Sequence, residues 1–267
     1  MLQIVPDALE SWNQKGDVLA LAIRRGSCTS CEEAVCSARG APVFWRADAE
    51  LLLIGAGELP FTELLLVRFG DAAALRRSIE NGGLQELSDM LPDLVDAHVL
   101  IVREQSMPTA ARVALRLVRL SGKIRGQTDA APAKFDNGGL YPTELQLASL
   151  HHSTWNGQVT MVNFLKFHDK ADYDSDISGY DAYNRYGQVA IRNIYRLGGS
   201  LTFFGRTEAC LVDSGAQATE GAWDQLALIS YPHRSRFHKL PMSPGYFEAT
   251  KHRNAGLDRT ALVMMRS

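Results

Sequence analysis

The sequence predicts an α+β fold built from two tandem ferredoxin-like repeats, each with the element order β-α-β-β-α-β. The main observation is an internal similarity between the two halves of the 267-residue chain. Residues 61–104 align without a gap on residues 223–266, at an offset of 162 residues, with six identities among 44 positions. Although the identities are few, apolar and polar positions agree across two strands and two helices. A pattern repeated at a fixed offset indicates a duplicated structural unit.

A second observation suggests how the predicted sheets pack. The strands at residues 64–67 and 226–229 are apolar at consecutive positions, which is typical of strands covered on both faces. One ferredoxin-like sheet with helices on a single side would leave its other face bare. We therefore expect the two antiparallel sheets to pack as a dimeric α+β barrel within one chain, which makes a monomeric pseudo-dimer. The alternative keeps the halves apart and pairs each with another chain, as in a homodimer.

The first half contains strand and helix signals in the expected order. Residues 18–23 form a continuous apolar run, and Asp71 is an N-cap residue for a helix that Gly82 and Gly83 end. The predicted elements are the strand 17–25, a short helix in the cysteine segment up to residue 38, the strands 42–54 and 63–69, the helices 72–81 and 84–91, and the strand 98–102.

The second half repeats this order. Apolar residues recur every three or four positions from Tyr183 to Leu197, which indicates one apolar face of a helix. The predicted elements are the strand 159–167, the helix 180–197, the strands 201–212 and 223–231, a short helix, a second helix after Gly245 and the strand 260–265.

These elements predict three regions: a first repeat at residues 1–105, a connector at 106–156 and a second repeat at 157–267. Within the connector, residues 110–120 are predicted to form an amphipathic helix with Arg112, Arg116 and Arg119 on its polar side. A further helix is predicted at residues 142–150. The arginines are expected to be solvated.

The composition is that of an ordinary globular protein, with 46% apolar residues and a formal net charge of −2. Such a charge offers no basic surface, so we expect no nucleic-acid partner. The longest apolar stretch, at residues 51–54, is far shorter than the about 20 residues that cross a bilayer, so we expect no membrane partner. The first residues lack a basic region followed by an apolar run. We therefore expect no signal peptide and a cytoplasmic protein.

The cysteines Cys28, Cys31 and Cys36 have the spacing Cys-x2-Cys-x4-Cys, which can hold zinc or an iron–sulfur centre. A zinc site needs about four ligands, and the remaining Cys210 is far away in the sequence. A redox pair is typically followed by a long helix, and the predicted helix is short. We therefore expect reduced thiols, with no metal and no cofactor.

Several stretches of the second half resemble a known family. They are residues 161–167, the helix start at 180–183, Gly198 and Gly199, Trp223 and Asp224, Tyr231 and Pro232, and residues 252–257. They resemble the family called domain of unknown function 1330, over about residues 157–267. That family belongs to the dimeric α+β barrel superfamily, so the resemblance implies the same barrel.

The superfamily includes cofactor-independent monooxygenases, haem-degrading enzymes, lactone isomerases and proteins with no demonstrated activity. The resemblance therefore implies a small-molecule site without choosing its chemistry. The first half lacks these signatures, so we expect any site to lie in the second half.

Two polar residues interrupt the strand 159–167. Asn163 and Lys166 are three positions apart, so their side chains point to opposite faces of a regular strand. Asn163 shares its face with Leu165 and Phe167, and its amide therefore needs a protein partner or a ligand. Both residues are predicted to bind substrate.

His252 is the predicted catalytic residue, because imidazole exchanges a proton near neutral pH. Its position late in the last helix favours the cation. In the alternative interpretation, His252 and Arg253 bond the last helix carbonyls. Three further residues complete the predicted substrate site: Tyr183, Arg206 and Tyr231. Arg206 would hold a ligand carboxylate, or else pair with Glu208 or face solvent, and Tyr183 would otherwise be a core residue.

The sequence contains no dinucleotide-binding, Walker, zinc-protease or hydrolase nucleophile motif. We predict a protein that binds a small organic molecule. It would be a cofactor-independent enzyme, monooxygenase- or isomerase-like, acting on a small organic acid or polyketide-like compound, although catalysis is left open. The alternative is a non-catalytic binding or assembly module that uses the barrel as a scaffold. A third hypothesis is haem binding, with His252 or His233 as the axial ligand.

Overall fold

The fold is described from a computed structural model of the chain. It describes residues 17–25, 43–68, 94–121, 139–174, 176–212 and 222–266. The cysteine segment and the helices predicted at 72–81 and 84–91 lie outside the described residues.

The described strands and helices follow one another in the predicted order. In sequence they are β1 Asp17–Arg25, β2 Val43–Ile54, β3 Glu63–Arg68, β4 Leu94–Glu104, α1 Thr109–Ser121, α2 Glu144–His152, β5 Val159–Phe167, α3 Gly179–Arg196, β6 Ser200–Val212, β7 Gln225–Tyr231, α4 Arg234–His238, α5 Tyr246–Gly256 and β8 Leu257–Arg266. The observed β5 has its predicted bounds. In contrast, β8 begins earlier than predicted because α5 passes directly into it at Leu257, where the backbone is already extended.

The strands pair antiparallel, as in the ladders β1–β3, β1–β4 and β5–β8. Their hydrogen-bonding order is β1-β3-β2-β8-β5-β7-β6-β4, which closes into a barrel. The first half contributes β4-β1-β3-β2 and the second half contributes β8-β5-β7-β6. Each half therefore places its strands in the same order, and the predicted α+β barrel class is confirmed. That the halves are a duplicated repeat or a pseudo-dimer stays a prediction.

The chain groups into two compact units. Unit 1 contains the described residues of Met1–Glu50, Ala56–Gln105 and Gly205–Leu226, and its buried apolar side chains include Leu64, Leu65 and Ile101. Unit 2 contains those of Leu51–Gly55, Ser106–Phe204 and Ala227–Ser267. The three predicted domain boundaries stay predictions.

In unit 2, helices α3 and α5 pack against each other. Gly179 begins α3 and Gly256 ends α5, and a Cβ added to Gly179 would lie 2.6 Å from the carbonyl oxygen of Gly256. The same carbonyl accepts a hydrogen bond from the amide of His168 at 3.0 Å. Only glycine permits so close an approach of two backbones. This crossing places side chains of α3 beside side chains of α5.

A large cluster of buried side chains forms the main core of unit 2. Its buried side chains include Ile54, Met161, Ile194, Leu240 and Met264, from strands and helices alike. Among the described residues, none of the helices combines the length and apolar character that a membrane span requires.

Candidate functional site

Helices α3 and α5 bring together a group of aromatic side chains in unit 2. Tyr183 and Tyr186 lie three residues apart on α3, so they share one face of the helix. Their ring centroids are 5.4 Å apart, and those of Tyr186 and Tyr246 are 5.6 Å apart. The ring centroid of Phe167, at the end of β5, lies 5.3 Å from that of Tyr183. We call Phe167, Tyr183, Tyr186 and Tyr246 the tyrosine cluster.

Two hydroxyl groups of the cluster bond to each other. The hydroxyl oxygens of Tyr186 and Tyr246 are 2.8 Å apart, and either can donate. Burial raises the pKa of Tyr183, of Tyr186 and of Tyr246. All three are therefore neutral hydroxyls at neutral pH. The pair holds two hydroxyl hydrogens and uses one of them in its mutual bond, so the other can serve a further acceptor.

Arg253 of α5 lies beside this cluster and is only 7% exposed. Its Nη2 donates to the carbonyl oxygen of Leu140 at 2.6 Å, whereas its Nη1 is buried and has no hydrogen-bond partner. Burial lowers the pKa of Arg253, but the interactions with Tyr186 and Tyr246 outweigh it and raise the pKa above its ordinary value. The guanidinium is therefore a buried cation, and no carboxylate among the described residues pairs with it.

A short segment before α2 covers the guanidinium. We call residues 139–141 the strap. Its Leu140 supplies the carbonyl that Nη2 binds, and the ring of Tyr141 lies 4.9 Å from Cζ of Arg253, in cation–π contact. The hydroxyl of Tyr141 donates to Oδ1 of Asn254 at 2.6 Å, which fastens the strap to α5.

His252, the predicted catalytic residue, is half-buried on α5. Its Nδ1 lies 2.9 Å from the hydroxyl of Tyr173, with the two rings nearly perpendicular. Burial lowers the pKa of His252, and the positive charges of Lys251 and Arg185 lower it further. The expectation that its helix position favours the cation stays a prediction. The neutral ring can accept a proton at neutral pH.

Asn163 is half-buried on β5 and has protein partners. Its side-chain nitrogen donates to the carbonyl oxygens of Met161 at 3.2 Å and Ala227 at 3.4 Å. The Asn163 amide therefore has protein partners, which the sequence analysis gave as the alternative to a ligand. Lys166 is half-buried on the same strand, opposite Arg259 in the β5–β8 ladder. Substrate binding by Asn163 and Lys166 stays a prediction.

The other two predicted residues have different environments. Tyr231 is 1% exposed and packs in the core of unit 2 together with Tyr183 and Tyr186, its ring 5.8 Å from that of Phe237. Arg206 is exposed on β6, in unit 1. Glu208, its proposed protein partner, instead forms an ion pair with Arg103 at 3.2 Å.

The structure thus gathers Tyr183 and Tyr231 in one core and adds Arg253, which the sequence suggested only as a helix-capping residue. A signal for Arg253 was present. Ala249, Thr250 and Arg253 are spaced as one helix face, so the arginine interrupts a face that is otherwise uncharged. A charged residue on a buried face is a stronger indication of function than a polar residue at a helix end.

Among the residues that the structure describes, no group of three or more His, Cys, Asp or Glu side chains is placed to hold a metal ion. His233 caps the short helix α4, its ring nitrogen accepting from the amide of Ser235 at 3.1 Å.

Comparisons with known proteins give limited information. No family model matches the chain, and no curated protein matches it. A protein of unknown function from Rhodopseudomonas palustris is similar to this chain with 28% identity, a TM-score of 0.43, and coverage of 48% of this chain and 95% of that one. An anthrone oxidase-like protein is similar with 9% identity, a TM-score of 0.44, and coverage of 97% and 94%. Such scores assign neither a family nor a function to this chain.

Proposed function

We propose that the protein binds a small organic acid or polyketide-like compound at the tyrosine cluster and Arg253. One observation carries this proposal: Nη1 of the buried Arg253 guanidinium has no acceptor. Buried polar groups in folded proteins are nearly always hydrogen-bonded, and an unpaired buried charge is costly. A ligand that supplies the missing acceptor would remove that cost and gain binding energy from it.

The surrounding side chains suit such a ligand. The rings of the cluster offer flat apolar surfaces, and the Tyr186–Tyr246 pair retains one hydroxyl hydrogen. Sites for small molecules typically combine an apolar lining with a few oriented polar groups. The resemblance to the family of unknown function supports this proposal, as does the barrel fold of that superfamily.

Catalysis by His252 is a separate part of the proposal. Successive residues of a helix are rotated by about 100°, and His252 contacts Tyr173 rather than the cluster. Binding at Arg253 therefore does not require His252. In a monooxygenase- or isomerase-like reaction without a cofactor, the neutral imidazole would act as general base, with Tyr173 orienting the ring.

A thermal-shift screen of small organic acids tests the binding proposal. A bound compound at about 100 times its Kd adds about 2.7 kcal/mol to the free energy of unfolding, which raises Tm measurably. We expect the screen to find compounds that raise the Tm of both the wild type and the Arg192→Met control, in which an exposed arginine is replaced. The same compounds should stabilise Arg253→Met much less, because the cation that pairs with the acid is gone. Equal stabilisation of all three proteins, or no stabilisation by any acid, would contradict the proposal.

A second candidate function is the assembly module, and a feature of α1 favours it. Val113, Leu117 and Leu120 are 50%, 61% and 81% exposed and lie on one face of the helix, whereas Leu115 faces inward at 7%. Aligned exposed apolar side chains are typical of interaction surfaces. In this candidate function, the exposed face of α1 contacts a second copy of the chain.

A further inference from the structure

We infer that the ligand of the tyrosine cluster is a monoanion, a carboxylate on a flat apolar body, and that this carboxylate pairs with Nη1 of Arg253 when the strap opens. The inference rests on the proposed function, because it names the ligand class for the same site. It further states which part of the protein must move to admit the ligand.

The charge of the ligand follows from the charges around it. The tyrosine cluster is neutral, and Arg253 adds one positive charge that no described carboxylate balances. One negative charge on the ligand balances that cation. A doubly charged phosphate would leave one charge buried and uncompensated, which is costly. A carboxylate is the common organic group with a single negative charge at neutral pH.

The available donors match the two oxygens of a carboxylate. Nη2 already serves Leu140, so Nη1 is the arm of the guanidinium that can bind one carboxylate oxygen. The spare hydroxyl hydrogen of the Tyr186–Tyr246 pair can serve the second oxygen. Arg253 lies close enough to both tyrosines to lower the pKa of each, although burial raises it more.

Access requires a movement, because Nη1 is buried in this structure. On one side, α3 and α5 are locked together by the backbone contact of Gly179 with Gly256. On the other side, Arg253 is covered by the strap. The hydrogen bond from Tyr141 to Asn254 also fastens the strap to α5. The strap is therefore the part that opens.

Paired probes test the ligand class directly. The probes are benzoate with benzamide and 1-naphthoate with 1-naphthamide, in which a carboxylate is exchanged for a neutral group of the same shape. Their affinities are measured by titration near pH 7 at about 0.15 M salt, followed by NMR of the tyrosine rings. We expect the wild type to prefer each acid over its amide by about tenfold or more, as a hydrogen bond to a charged group implies.

Four arginine variants identify the cation that confers this preference. Arg253→Met should bind acid and amide equally, and Arg253→Lys should keep part of the preference. Arg192→Met should keep all of it. Arg206→Met tests the residue that the sequence suggested as the carboxylate holder. Circular dichroism and Tm without probe establish that each variant is folded.

The outcomes separate the inference from the proposed function. If acids and amides bind the wild type equally, the ligand class is wrong while the proposed site survives. If none of the four probes binds, both are overturned. A preference that is lost in Arg206→Met and kept in Arg253→Met assigns the carboxylate to Arg206 and overturns the inference.

Tyr141→Phe tests the strap. It keeps the ring over Arg253 but removes the bond to Asn254, so the strap should open more readily and the acids should bind severalfold more tightly. Unchanged or weaker binding of both acids would show that the strap does not open for the ligand.

Discussion

At the scale of single residues, the hydroxyl pair Tyr186–Tyr246 is a buried polar contact between two helices. Replacing Tyr186 by Phe leaves the hydroxyl of Tyr246 without its partner. The free energy of unfolding should fall by about 1–2 kcal/mol, because the unpaired hydroxyl keeps its desolvation penalty. Urea denaturation measures this change.

Two further variants separate the loss of the Tyr186–Tyr246 hydrogen bond from the loss of any tyrosine hydroxyl. Tyr173→Phe removes an exposed hydroxyl and should change the unfolding free energy by less than about 0.5 kcal/mol. The double variant Tyr186→Phe with Tyr246→Phe should cost less than the sum of the single variants, because neither hydroxyl is then left unpaired. A strictly additive result would show that the two hydroxyls do not interact.

The protonation of His252 gives a second prediction. Its pKa lies below the ordinary value of about 6.5 because of burial and the charges of Lys251 and Arg185. Lys251→Gln removes one of these charges and should raise the pKa of His252. NMR titration of the imidazole protons measures it. Lys239→Gln, a matched change that lies outside α5, should leave the His252 titration unchanged.

The same shift has a consequence for stability. The unfolded His252 binds a proton at a higher pH than the folded one, so the unfolding free energy decreases as the pH falls from above about 6.5 through the folded pKa. His238 acts in the same direction, since burial, His151 and Arg234 lower its pKa. Denaturation near pH 8 and near pH 5 should therefore show lower stability at the acidic pH. His252→Gln should reduce the difference.

At the scale of elements, the contact of α3 with α5 depends on glycine. A methyl group on Gly179 would collide with the carbonyl oxygen of Gly256, and both atoms involved belong to rigid backbone regions. We expect Gly179→Ala to lower the unfolding free energy by about 1–3 kcal/mol, as overpacking does. It should also displace the tyrosine cluster, which ring-proton chemical shifts would report.

Gly187 is the matched control on the same helix. A Cβ added there meets nothing within 4 Å. Gly187→Ala should therefore stabilise the protein by about 0.5–1 kcal/mol, because alanine is the better helix former. Equal effects of the two variants would show that the helix crossing is not close-packed.

Local sequence patterns predicted these elements well. The apolar spacing from Tyr183 to Leu197 predicted α3, and the apolar run at 159–167 predicted β5. The periods of helices and strands depend on neighbouring residues, so they are visible in one short window. Local patterns did not predict the role of Gly179 and Gly256 in packing α3 against α5, because that role depends on a contact between residues far apart in the chain.

At the scale of the whole molecule, the strand order bears on oligomeric state. The described strands close into a barrel within one chain, so the barrel needs no strand from a second copy. We expect sedimentation equilibrium to give the mass of a single chain. If it gives a dimer instead, Leu117→Glu on α1 should dissociate it, because a buried carboxylate is costly.

Arg119→Glu is the control for this experiment, since it changes an exposed charge on the same helix outside the apolar face. A dimer that resists Leu117→Glu would exclude the exposed face of α1 as the contact. A dimer disrupted by both variants would instead indicate a general charge effect. Either result would weaken the assembly candidate as stated.

By itself the sequence determined the mixed α+β class and the order of the strands and helices that the structure describes. These depend on the spacing of apolar residues and on turn residues, which act over a few positions. Only the tertiary structure decided that Arg253 is buried among tyrosines and covered by the strap. Leu140 and Arg253 are 113 residues apart, and no local pattern specifies which distant side chain will share a buried environment. That choice is made when the helices pack and water is excluded, which also determines whether a charge retains a partner.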